Sequence, residues 1–171
     1  IRYVVKSMDI IVGGADYPTA KIRRNSVLYR TLGVGYSNLG ALLMAMGVPY
    51  DSTTGRHTAA ALASVLTAVG YQQSAFLTEH VGKAEGVNAR DITKVLRMHS
   101  EASGELIEHI NMERGSELNL TYLVASLADD TWKSIITDEL VPRNAQMTVL
   151  APTGTISFAM DCETTGCEPE L

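Results

Sequence analysis

The run Gln146-Met147-Thr148-Val149-Leu150-Ala151-Pro152-Thr153-Gly154-Thr155-Ile156-Ser157 carries a β-type apolar stretch directly into a small, hydroxyl-rich turn able to open a helix. Residues of these types in this order can hold a phosphate. The free N–H groups of a helix's first turn carry together about half a positive charge, and neighbouring Thr and Ser hydroxyls add donors for phosphate oxygens. A glycine at the bend lets the backbone approach an anion with no Cβ between them. Pro152, Thr153, Gly154, Thr155, Ile156 and Ser157 are the candidate substrate-binding residues, and an ordinary strand-to-helix turn is the competing reading.

Other groups with chemical potential are less well placed. Asp161, Glu163 and Glu168 form an acidic cluster just after the turn, where capping, solvation or ion pairing competes with acid–base work. Cys162 and Cys167 are too few for a disulfide framework and have no adjacent His or further Cys to complete a zinc set, so a buried free thiol is expected of them. His57, His80, His99 and His109 are scattered without the i,i+4 spacing of a metal pair and read as surface histidines. Gly33-x-Gly35 followed by Gly40 fails the dinucleotide fingerprint and reads as helix packing. Arg23, Arg24 and Arg56 read as solvated helix faces that could reach phosphates in a larger body.

Composition narrows the function classes. The 171 residues are 46% hydrophobic and 19% charged with a formal net charge of −5, which lacks the basic stripe of a nucleic-acid binder. The longest weakly polar stretch, Thr58 to Gly70, falls short of the roughly 20 residues of a membrane span. No nucleic-acid partner, no membrane and a cytoplasmic setting are expected. The chain begins at Ile1 rather than Met and stops at Glu168-Pro169-Glu170-Leu171, which reads as loop. A piece of a longer protein, incomplete at both ends, is the expectation.

The elements that must position the turn are mostly helical. Ile1, Val4, Val5, Met8, Ile11 and Val12 fall at helical spacing before Gly13-Gly14. A second helix is predicted over about 19–32, then a short extended segment or tight corner at Gly33-Val34-Gly35-Tyr36. Helix resumes at Ser37 and ends near Gly47-Val48-Pro49. Asp51-Ser52-Thr53 can cap a long helix over about 54–80, rich in Ala, and Asn88 caps the next, to about Glu101, with 102–114 ambiguous. A further helix is predicted from Leu118 to Leu140, stopped by Val141-Pro142. One strand is predicted, 146–150; a lone strand needs partners for its N–H and C=O groups, so the chain is expected to lack the rest of its sheet.

Several blocks, taken in order, resemble the adenosylcobalamin-dependent (class II) ribonucleotide reductases. They are Asp16-Tyr17-Pro18, the run Arg30 to Met44, Gly47 to Ser52, Gly55-Arg56, Arg143-Asn144-Ala145-Gln146, Leu150 to Ser157, and Met160 to Pro169; residues 101–139 match loosely. The resemblance implies a catalytic domain that is a ten-stranded α/β barrel, with 1–171 a partial barrel domain from its later portion. The expected fold class is therefore α/β, a mostly helical fragment with one clear strand leading to the phosphate turn.

The resemblance also implies reduction of ribonucleotides to deoxyribonucleotides by a thiyl-radical mechanism, with adenosylcobalamin as cofactor. Expected partners are the ribonucleotide substrate, the remainder of the barrel and, for the full-length enzyme, a second copy in a homodimer. The family's radical cysteine lies in an Asn-x-Cys-x-Glu motif absent from this chain, so no catalytic and no metal-binding residue is expected here and the fragment alone should be inactive. What carries over is the phosphate end of the substrate site, residues Pro152 to Ser157. The alternatives are the large subunit of a class I reductase, which shares the barrel, and a non-catalytic helical scaffold.

Overall fold

The computed structural model describes residues 1–114 and 119–170. Among the described residues seven helices follow one another: α1 (Arg2–Gly14), α2 (Ala20–Tyr29), α3 (Leu39–Ala45), α4 (Thr53–Val81), α5 (Ala89–Arg114), α6 (Leu120–Thr137) and α7 (Gly154–Ala159). Local signals set most of their starts. Thr19 accepts the Ile22 N–H, Ser52 the Gly55 N–H, and Asn119 the Tyr122 N–H, each a side-chain cap for one orphan donor. Asn88 Oδ1 takes the N–H groups of Arg90 and Asp91 at the head of α5.

Several ends differ from the expectation. α2 stops at Tyr29 because Arg30 turns left-handed (φ 47°) and sends its side chain inward to Asp9. α5 runs unbroken to Arg114, so the ambiguous stretch 102–114 is the continued helix that Leu106, Ile107 and Ile110 suggest. The expected start at Leu118 lies outside the described residues. α6 ends before Pro142 matters: Glu139 is left-handed (φ 49°), and the Glu139 and Leu140 N–H groups bond back to Ile136 and Ile135 carbonyls, a Schellman closure.

The expected strand is not there. Among the described residues there is no strand and no sheet; segment 146–150 is extended but contributes one isolated parallel bridge, Thr148 to Val34. The α/β assignment with a clear strand is therefore corrected to a helical fold with a bridged extended pair. The partner is the glycine corner that follows α2. Leu32 donates to the Gln146 carbonyl, Val34 to Met147, and Val149 back to Val34, which satisfies some of the backbone groups that a strand would pair along a ladder. Pairing this short gives a bridge and not a strand.

The two glycines of that corner have a packing role, although not the helix-packing role expected of them. A Cβ on Gly33 would come to 2.9 Å from Val149 Cγ1, and one on Gly35 to 2.5 Å from the Val149 carbonyl oxygen. Only residues without a Cβ let the two segments lie this close.

The core forms where α1, α4, α5 and α6 meet the extended pair. Val5, Leu32, Val34, Leu66, Tyr71, Leu96, Trp132, Ile135 and Met147 are all buried in one cluster. Met147 seats on α4 at Gly70, where a Cβ would stand 2.6 Å from Met147 Cγ. Trp132 is fully buried, its Nε1 donating to Ser64 Oγ at 3.2 Å, so its polar atom is paired while its rings fill the interior. A second, smaller cluster of Ala61, Ile110 and Ala125 holds the far ends of α4, α5 and α6 together. No helix among the described residues is long and apolar enough to cross a membrane.

Candidate phosphate-binding turn

All six predicted residues lie together where the extended segment ends and α7 begins. Thr153 is the N-cap and is left-handed (φ 56°, ψ 22°), a conformation that costs a β-branched residue on the order of 1–2 kcal/mol. Its hydroxyl offsets this through three contacts. It donates to Ser37 Oγ at 3.0 Å, lies 2.8 Å from Ser157 Oγ, and accepts the Gly166 N–H at 2.7 Å.

Ser157 is buried, and its hydroxyl lies 2.6 Å from that of Ser37. Three hydroxyls thus form a closed triangle beneath the turn. Ser37 also accepts the Gly166 N–H at 3.1 Å, and Asn38 Oδ1 takes the Thr164 N–H at 2.9 Å, so loop 161–168 folds back over the segment leading into α3. Gly40 lets it in, since a Cβ there would meet the Glu168 carbonyl at 2.8 Å.

The upper side of the turn is open. The Thr153 carbonyl accepts from Ser157 N–H at 2.8 Å, which leaves the N–H groups of Gly154, Thr155 and Ile156 without an acceptor among the described residues. Those three residues are exposed, and nothing lies within 4 Å of where a Gly154 Cβ would be. A ring of unpaired amide donors with neutral hydroxyls below is a donor set for an oxyanion; it is not one that ligates cobalt.

The neighbouring candidates resolve one by one. Asp161 (φ 55°) terminates α7, with its own N–H and that of Cys162 bonded to Phe158 and Ser157 carbonyls. Thr165 Oγ1 donates to Glu168, and Glu163 borders an apolar cavity of about 690 Å³ beside Tyr36, Leu42 and Leu66. Cys162 is half-buried and Cys167 exposed, both free thiols, so the expectation of two buried thiols fails at Cys167.

The histidines stay apart. His57 faces Glu113 at 3.6 Å, His80 stacks on Phe76, and His99 lays one ring face on Trp132, whose cover desolvates it and lowers its pKa. Tyr36, half-buried near the turn, has its pKa raised by burial and by the neighbouring Cys167 and Tyr50. Arg56 pairs with Asp51 at 2.7 Å on the surface.

A buried ionic cluster at the other end of the extended segment carries no signal in local sequence. Asp9 receives Arg30 Nε at 2.7 Å, Asn144 Nδ2 at 3.0 Å and Arg143 Nε at 3.2 Å. Asn144 is itself held, donating to the Arg30 carbonyl and accepting from Ser74 Oγ at 2.6 Å. Burial alone would raise the Asp9 pKa, but hydrogen bonds from Arg30 and Asn144 and the charges of Arg30 and Arg143 outweigh it and hold the carboxyl below its usual value. This cluster anchors the extended segment at its start, as the hydroxyl triangle does at its end. Arg30, Arg143 and Asn144 all stand in the blocks that carried the resemblance.

Comparison with known proteins identifies the family. The family model described as the ribonucleotide reductase barrel domain matches residues 1–171. A vitamin B12-dependent ribonucleotide reductase of Streptomyces avermitilis is 42% identical over 175 residues, covering 100% of this chain and 17% of that protein. One of Rhodopirellula baltica is 41% identical, covering 96% of this chain and 15% of its own length, and one of Agrobacterium fabrum is 36% identical, covering 100% and 14%. The chain thus spans between 14% and 17% of the length of these three relatives. With a family model covering its whole length, the chain belongs to the ribonucleotide reductase barrel-domain family.

Proposed function

We propose that residues 1–171 are part of the catalytic barrel domain of a larger enzyme that reduces ribonucleotides to deoxyribonucleotides, and that this part contributes the substrate's phosphate site at Pro152 to Ser157. The observation that carries the assignment is the exposed turn of three unpaired amides, Gly154 to Ile156, over a buried hydroxyl triangle. The underside is already saturated, so the free donors can only face outward. Held there by its phosphates, a nucleotide would have its ribose oriented for attack elsewhere in the protein, and positioning of this kind contributes several kcal/mol to lowering a barrier.

Adenosylcobalamin, the cofactor that the relatives' shared name points to, would supply the radical that starts the reaction. The turn's amides and hydroxyls do not fit it, and no step is assigned to it on this chain. The same shared name favours the cobalamin-dependent reading over a class I large subunit and over a scaffold. The whole protein is proposed to work in the cytoplasm, as a homodimer.

The test is a nucleotide titration of the full-length protein carrying Thr155→Val. Thr155 is exposed and its hydroxyl makes no hydrogen bond to a described residue, so the loss of that hydroxyl should leave the thermal melt unchanged and weaken nucleotide binding. Unchanged affinity would refute the assignment.

A further inference from the structure

Five of the chain's 14 Lys and Arg residues, Arg23, Arg24, Arg30, Lys83 and Arg143, converge on one cleft between α2 and the loop after α4. The chain as a whole is acidic, so this is a local reversal of sign. Two carboxylates oppose the five cations: Glu85 in the lining and Asp9 behind it.

Two of the cations are fixed in place. Arg30 is buried and bound to the Asp9 carboxylate and carbonyl, while Arg143 is held by Asp9 and by the carbonyls of Val81 and Gly82. The side chains of the other three, Arg23, Arg24 and Lys83, are exposed and make no ion pair or hydrogen bond to a described residue. At the cleft's edge, Thr19 takes the N–H groups of Ile22 and Arg23, which leaves Ala20 N–H without a described acceptor.

The cleft has a volume of about 540 Å³, within the range of small-molecule sites, and Val27, Leu28 and Ala84 form its apolar part. Two positioned guanidinium groups behind three exposed, unpaired cations suit an anion with several charged oxygens, because guanidinium pairs bidentately with phosphate while lysine adds a point charge. A single carboxylate would leave most of that charge unmatched. Arg143 precedes the extended segment and the turn at Pro152 to Ser157 follows it, so the cleft and the turn sit at opposite ends of that segment.

We propose that this cleft binds an oligophosphate, two or more linked phosphate groups, independently of the turn at Pro152 to Ser157. The probe is inorganic tripolyphosphate, and the readout is the acylation rate of individual lysines in the full-length protein, resolved by peptide mass spectrometry. Lys83 should be slowed about tenfold at a probe concentration near ten times its dissociation constant, while Lys21, exposed on α2 outside the cleft, should be unaffected. The double variant Arg23→Glu, Arg24→Glu should lose that protection with an unaltered thermal melt. Equal slowing of Lys21 and Lys83 would reduce the effect to ionic strength and overturn the proposal. So would a Lys83 that is unreactive before any probe is added, since an acidic segment of the rest of the protein would then occupy the cleft. Because the readout is at Lys83, failure of the phosphate turn in its own titration would not affect this result.

Discussion

The Ser37 hydroxyl lies 2.6 Å from that of Ser157, 120 positions further along the chain, and this contact fixes the turn from beneath. Ser37 follows the glycine corner and Ser157 sits in the first turns of α7, so the contact ties the start of one helix to the start of another. Thr153 completes the triangle and is held in its left-handed conformation by it.

Ser157→Ala should therefore loosen the turn without unfolding the protein. Ser37 and Thr153 would still reach each other at 3.0 Å, so the stability loss should stay near about 1 kcal/mol, the usual net value of one hydrogen bond. Nucleotide KM should rise several-fold with kcat less affected. Denaturant titration and steady-state kinetics on the full-length enzyme check both; a kcat loss with unchanged KM would contradict a positioning role.

Two glycines make opposite predictions for stability. At Gly154 a Cβ meets nothing within 4 Å and the backbone is helical, so Gly154→Ala should hold or raise stability by about 0.4–1 kcal/mol while lowering nucleotide affinity, the methyl standing where an oxyanion would approach. At Gly35 the methyl would stand 2.5 Å from the Val149 carbonyl oxygen, a backbone atom that cannot swing away. Gly35→Ala should cost about 1–3 kcal/mol and lower affinity as well, because the extended segment that leads to the turn must move. Paired thermal melts and nucleotide titrations distinguish the two.

Asp9→Asn should destabilise by about 3–5 kcal/mol near neutral pH, since it leaves the buried Arg30 without its counter-charge. The pH dependence has a definite sign. The folded-state pKa of Asp9 is lowered from the ordinary 3.8, so its contribution is fully present above about that value and is lost as pH falls through the lower folded value. The stability gap between wild type and variant should be flat from neutrality down to about pH 4–5 and then shrink. Denaturant midpoints measured across that range check it; a gap that grows as pH falls would refute the assignment.

Much of the helical layout could be read locally. The caps at Ser52 and Asn88 and the stop at Gly47 are decided within a few residues, because a cap needs only its own side chain and the next turn's N–H groups. The ends of α2 and α6 could not, since Arg30 and Glu139 take left-handed conformations that their residue types do not announce. Arg30 does so where its side chain reaches Asp9, 21 positions away.

The sequence by itself determined the composition of the turn, Pro152 to Ser157, and a set of ordered blocks sufficient to point to the family. Tertiary structure decided what the turn rests on and what the segment before it is. Ser37 reaches Ser157, and Asp9 reaches Arg143 and Asn144, only because packing of α1 and of the glycine corner against the segment preceding α7 brings distant positions together. The β-type run 146–150 remained a bridged extended segment because a strand's identity depends on neighbours that local sequence does not contain.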